Sequence, residues 1–286
     1  MIRTIALVVM AGLLAAPAMA LDKEQTAQAR KVFDANKNAV VFLSGVAQVE
    51  MSAGGQTMER EVNFQAIGSV INKSGMVVTT LSSIGTSGTQ SMGGQTISIK
   101  VKKHDQVKIV LDDGTEVPAD VVLKDADMDL AFITPRKDTE EYKSAKWTSI
   151  TLAKAAKVEV LDSVITIARM GKSFNLEPVV GSSEISGIVT KPRKFYIGPS
   201  RQSCPVFNLE GQAIGITIVY KAPGDEASRT IAILPADDVL KIAEQAKTAK
   251  PATEPTTTSA PTATTAPATT QRLAPTKAPT TMPKKD

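Results

Sequence analysis

A chain of 286 residues, 42% of them apolar, is long enough for one large domain or two small ones plus tails. A formal charge of +4, scattered lysines and 4% aromatic residues argue against a nucleic-acid surface, which needs a basic stripe interleaved with stacking aromatics. The single cysteine, Cys204, excludes an internal disulfide, a zinc finger and a paired-thiol redox site, so stability has to come from core burial.

The first residues read as a secretory signal peptide, 1–20. Arg3 gives a positive start, Ile5 to Ala16 is an apolar run too short to span a bilayer, and Ala18-Met19-Ala20 is a small-residue cleavage site. A cut after Ala20 makes the mature chain secreted or periplasmic, with no transmembrane segment and no cysteine near the cut to carry a lipid. The spacing of Ala27, Ala29, Val32 and Phe33 predicts an amphipathic helix over 21–36.

Strand signals then dominate. Ala39 to Leu43 is an apolar run, and Gly54-Gly55 separates strands expected over 46–51 and 58–62. Asn72-Lys73-Ser74-Gly75 makes a tight turn between 67–71 and 76–80. Ile84 to Thr96 is rich in Gly, Ser and Thr and predicts a mobile loop. Further strands are expected over 97–101, 107–111, 117–123 and 130–133, with Asp113-Gly114 as a hairpin turn. The charged stretch 135–146 reads as a linker. A second set follows at 158–168, 184–189, 194–197, 205–208, 213–220 and 230–234, and many short strands with regular turns mean an all-β barrel or sandwich. Pro235 opens a helix through Val239, Leu240 and Ile242, with Asp237 or Asp238 as its cap. From Thr248 the composition changes to Pro, Thr and Ala, which have almost nothing to bury; 248–286 is expected to be a disordered tail, and 21–247 the folded domain.

Pro199-Ser200-Arg201-Gln202-Ser203-Cys204-Pro205 runs into Val206-Phe207-Asn208-Leu209-Glu210-Gly211-Gln212-Ala213-Ile214-Gly215-Ile216. This block resembles the P-G-N-S-G-G-P-L-V-N-L-x-G-x-x-I-G-I block of trypsin-like serine proteases of the HtrA type. Gly68 to Thr79 is similar to the family's G-S-G-F-I-I…G-x-I-V-T strand pair, Asp127-Met128-Asp129-Leu130-Ala131 to its D-x-D-L-A, and Ser186-Gly187-Ile188-Val189 to its T-S-G-I-V strand. Ile231 to Leu240 resembles its closing strand and helix. The resemblance covers about 38–245 and implies two six-stranded antiparallel β-barrels packed face to face.

In that register the triad-equivalent positions are Ser82, Asp129 and Gln202. An amide cannot serve as nucleophile, and a serine in place of histidine cannot act as base. The resemblance therefore implies a degenerate triad, a pseudoprotease with no intact catalytic set. Ser200-Arg201 stands where the family has Gly-Asn, and Ser203-Cys204 where it has Gly-Gly, so the loop that would hold an oxyanion is altered. A one-residue slip that made Ser203 the nucleophile would break the match at Pro199 or Pro205. The one histidine, His104, is far from the base position and is expected at an exposed strand edge. Cys204 is a nucleophile or a small buried hydrophobe. Asp125, Asp127 and Asp129 mimic the start of a calcium loop, but Leu130 occupies its glycine and Arg136 its final glutamate, so no metal and no cofactor is expected.

The leading expectation is an exported, inactive trypsin-like domain that binds protein or extended peptide, with Ser200, Arg201, Ser203 and Cys204 as cleft candidates. One alternative is an endopeptidase with an unconventional site. The other is a structural protein of the cell envelope, held to envelope components through its tail.

Overall fold

A computed structural model describes residues 21–85, 87–92, 95–152, 156–222 and 229–249. The expected signal peptide and all of the expected tail beyond Ala249 lie outside the described residues.

The described residues open on helix α1 (Lys23–Asn36), begun by a capping box in which Asp22 accepts the Gln25 N–H and the Gln25 side chain accepts the Asp22 N–H. Seven strands follow: β1 (Val40–Ala53), β2 (Gln56–Val70), β3 (Val77–Thr80), β4 (Gly88–Met92), β5 (Gln95–Val110), β6 (Glu116–Asp125) and β7 (Leu130–Pro135), with a one-turn helix α2 (Leu81–Ile84) between β3 and β4. All pair antiparallel in the order β1-β2-β3-β7-β6-β5-β4, and a β1–β5 pairing closes the first six into a barrel. After helix α3 (Glu140–Ser144) come β8 (Ser163–Arg169), β9 (Pro178–Glu184), β10 (Gly187–Val189), β11 (Phe195–Ile197), β12 (Pro205–Asn208), β13 (Ala213–Tyr220) and β14 (Thr230–Pro235), then helix α4 (Ala236–Thr248). Their order is β10-β11-β14-β13-β12-β8-β9. The end strands β9 and β10 are consecutive in the chain, so this second sheet curls into a half-barrel that meets itself at the Ile185-Ser186 bend.

The fold is two-barrelled as expected, with corrections in detail. The second barrel is not a fully paired six-stranded one among the described residues: β9 pairs with β8 and β10 with β11, each on one side. The loop expected over 84–96 is the hairpin β4–β5, because Gly, Ser and Thr there still supply backbone groups for a ladder running from Gly88↔Ile99 to Met92↔Gln95. The strands expected separately over 97–101 and 107–111 are one, interrupted by bulges against β1 and by the left-handed Gln106 (φ 50). The linker holds α3, capped by Thr139, whose hydroxyl accepts the Tyr142 N–H at 3.3 Å. β9 was hidden in a polar stretch, and Val158 to Asp162 turns before β8 begins. Helix α4 starts directly after Pro235 with no side-chain cap; Asp237 and Asp238 sit in its first turn and pair with Lys241.

Three apolar clusters explain the continuous hydrophobic runs. Val41, Leu43, Val77, Ile109, Ala131 and Ile133 fill the first barrel, and Val164, Ile185, Tyr196, Val206, Ile214 and Ile233 fill the second. The residues between them, among them Val40, Val78, Leu130, Phe132, Ile165, Ile216 and Leu234, form the layer where the barrels meet. These strands are buried on both faces, which erases the alternation of a half-exposed strand. Each fully buried Leu, Ile or Phe contributes about 1.5–3 kcal/mol of burial free energy.

Candidate functional site

The seam between the barrels carries a buried polar set that apolar packing alone would not need. Strand β3 ends at Thr80 and turns at once into α2, where the Leu81 N–H donates to the Asp129 carbonyl at 2.9 Å. That anchors α2 over the β6–β7 turn. Asp129 holds a left-handed φ of 51°, a conformation Asp tolerates, which turns its side chain inward. Its carboxylate accepts three bonds: Oδ1 from the Ser82 N–H (2.7 Å), and Oδ2 from the Ser82 Oγ–H (2.8 Å) and the Val219 N–H (3.0 Å). Asp129 is 7% exposed, and burial raises its pKa above the usual range against the lowering effect of these donors. Val219 belongs to β13, so the carboxylate joins one barrel to the other.

A second polar set lies beside it. Ser203 Oγ is 2.6 Å from Thr80 Oγ1 and 3.1 Å from Ser83 Oγ, and accepts the Thr80 N–H at 3.3 Å. Thr80 Oγ1 and Ser83 Oγ are 2.6 Å apart. Ser203 is 2% exposed with φ at 59°, at a position where the resemblance has glycine. Its N–H donates to the Thr217 carbonyl at 3.0 Å, and the Cys204 N–H to Thr217 Oγ1 at 2.9 Å. These bonds hold a backbone conformation that costs on the order of 1–3 kcal/mol for a residue with a side chain. The hydroxyls are therefore hydrogen-bonded to one another, with no imidazole, amine or carboxylate of the described residues among their bonded partners.

Cys204 is fully buried, and burial pushes its thiol up to about 12, so it is a protonated hydrophobe at neutral pH. Ser203 and Cys204 thus face protein, not an open cleft. Gln202 is exposed and lines a cleft of about 460 Å³ with Leu81, Ser82, Asp129, Lys221 and Arg229. Ser200 and Arg201 point elsewhere, into a groove of about 430 Å³ between their loop and β8–β9. The loop divides its side chains between two hollows.

His104 is half-buried in β5, not at an exposed edge. Its Nε2–H donates to the Ile84 carbonyl at 3.0 Å and its Nδ1 has no partner among the described residues. Burial first, and then the Lys124 charge, push its pKa down to about 4, while the Ile84 carbonyl and Asp105 oppose them. Asp125, of the aspartate triplet, accepts the Met128 N–H at 2.9 Å and so braces the turn that presents Asp129. Thr80, Ser83, Thr217 and Val219 were missed by motif reading. The run Thr79-Thr80-Leu81-Ser82-Ser83, dense in hydroxyls directly after an apolar strand, was the one signal available for the first two.

No protein-family model matches the chain. Over 158 residues it is 29% identical to a probable periplasmic serine endoprotease, DegP-like, of Halomonas elongata. The aligned stretch is 51% of this chain and 31% of that relative, so the chain spans about a third of the relative's length. With the two barrels, this likeness supports a relationship between the chain and trypsin-like proteases of the HtrA type.

Proposed function

We propose that this chain is an exported, non-catalytic trypsin-like domain that binds protein or extended peptide. The observation that carries the reading is the set of donors on Asp129: the residue at the base position, Ser82, gives the carboxylate both its N–H and its hydroxyl. A triad requires that carboxylate to orient an imidazole, which in turn deprotonates a nucleophile. Here the orienting group is engaged by a serine, the nucleophile position is an amide, and His104 is committed to the Ile84 carbonyl at the end of α2. Export rests on the leader at 1–20, and the relative's printed description as periplasmic agrees with it.

Binding is supported by the cleft beside Gln202, whose rim carries Lys221 and Arg229 next to the end of β13. An extended chain can pair with such a strand end and present a carboxylate to the cations. The test is incubation of the purified mature chain with casein and with a fluorophosphonate probe. Intact casein and an unlabelled protein are expected; covalent labelling of Ser203 or any other serine overturns the non-catalytic reading.

A further inference from the structure

The half-barrel leaves one strand edge open. In an antiparallel pair, alternate residues aim their backbone groups at the partner and the others aim them away. The Met170 N–H donates to the Glu177 carbonyl at 2.9 Å and the Ile185 N–H to the Asp162 carbonyl at 3.0 Å, and the β8–β9 register is unbroken between them. That phase puts the N–H and C=O groups of Val180 and Ser182 on the outer side of β9. Past the bend, where the Ser186 N–H donates to the Ile197 carbonyl at 2.8 Å, the loop from Gly198 to Arg201 diverges from β9 and opens the groove of about 430 Å³.

Two features of this groove call for an occupant. Its wall carries Val180, 49% exposed beside the free backbone groups. Its rim carries Arg201, which alone among the described lining residues bears a charge and which no carboxylate of the described residues approaches within ion-pair distance.

We propose that this groove docks an extended segment of a protein partner bearing an Asp or Glu side chain. The segment's backbone pairs with Val180 and Ser182 as an added strand, and its carboxylate meets the Arg201 guanidinium. Edge pairing supplies affinity, and the guanidinium selects the acidic residue. The inference rests on the peptide-binding reading above but not on the absence of catalysis. It places a second peptide site on the opposite side of the same loop from the Gln202 cleft.

The test uses the full mature chain and a fluorescein-labelled decapeptide of alternating Val and Thr with one central Asp, both ends blocked, against its Asn counterpart, read by fluorescence anisotropy. The Asp peptide is expected to bind about tenfold more tightly than the Asn peptide, and Arg201→Ala to erase the difference. Ser182→Pro deletes one outward N–H and leaves the ladder to β8 intact, so it should weaken both peptides. Amide exchange at Val180 and Ser182 should slow when the Asp peptide is added to the unaltered chain, a readout that stands even where the proline variant fails to fold. Equal affinity for the Asp and Asn peptides, or unchanged exchange at both amides under saturation, overturns the proposal. Binding that depends on Lys221 and Arg229 instead of Arg201 overturns the groove and leaves the Gln202 cleft as the peptide site; no binding by either peptide overturns both.

Discussion

Ser82 satisfies both oxygens of Asp129, its N–H reaching Oδ1 at 2.7 Å and its hydroxyl reaching Oδ2 at 2.8 Å. The serine hydroxyl lies beside its own N–H, so a single residue meets both oxygens. With the Val219 N–H as third donor, the pair ties α2, the β6–β7 turn and β13 together across the barrel seam.

Asp129→Asn tests that tie. Asn tolerates the left-handed backbone at this position, so the variant isolates the hydrogen bonds. An amide nitrogen would replace one acceptor oxygen and face an N–H donor. A loss of about 1–3 kcal/mol in urea unfolding is expected, with the cooperative transition kept. An unchanged midpoint would mean that the carboxylate does not hold the seam.

Restoring residues at two positions should not restore an enzyme. Ser82→His with Gln202→Ser supplies a base and a nucleophile, but Ser200-Arg201 and the buried Ser203 hydroxyl still shape the loop around them. Loss of a single oxyanion donor is worth about 10²–10³ in rate. Fluorophosphonate labelling of the double variant is therefore expected to stay at background, measured by gel fluorescence against the parent chain.

His104 predicts a pH dependence whose sign can be worked out. Its folded pKa is about 4 and its ordinary value 6.5. Between those values the unfolded chain binds a proton that the folded chain does not, so stability is full above the ordinary value and is lost as pH falls toward the folded one. His104→Gln should flatten the stability profile across that window by up to about 3 kcal/mol relative to the parent. The check is urea unfolding of both chains at about pH 7 and about pH 4. Carboxylates that also titrate at the acid end cancel in the difference between the two chains.

Gly215 is fixed by a close approach. A Cβ there would lie 2.0 Å from the Leu234 carbonyl oxygen, which belongs to the paired strand β14 and cannot step aside as a flexible side chain can. Gly215→Ala should cost on the order of 3 kcal/mol or more, or abolish soluble expression. Gly88→Ala, where nothing lies within 4 Å, is the control and should change the thermal midpoint little. A tolerated Gly215→Ala would mean that β13 and β14 can separate without loss.

Much of the architecture was legible because it is local. The turns at Gly54-Gly55, at Asn72 to Gly75 and at Asp113-Gly114 need particular backbone angles: Gly54 (φ 56), Gly55 (φ 80), Gly75 (φ 80) and Gly114 (φ 83) are all left-handed. The apolar runs around Val40, Phe132 and Ile216 likewise announce strands. What failed was local for a different reason: the Gly/Ser/Thr stretch before β5 and the polar run of β9 pair through backbone groups that composition does not register.

The site divides in the same way. The sequence by itself determined which side chains are available, since the identities of Ser82 and Gln202 and the presence of one histidine are covalent facts. Only the tertiary structure decided what the remaining groups do. Three donors from two distant segments converge on Asp129, Ser203 turns inward to meet Thr80 and Ser83, and Arg201 and Gln202, adjacent in the chain, open into different hollows. The reason is geometric: a hydrogen bond depends on direction and distance across about an ångström, and residues 47 and 90 positions apart reach that precision only after both barrels have closed on a shared core.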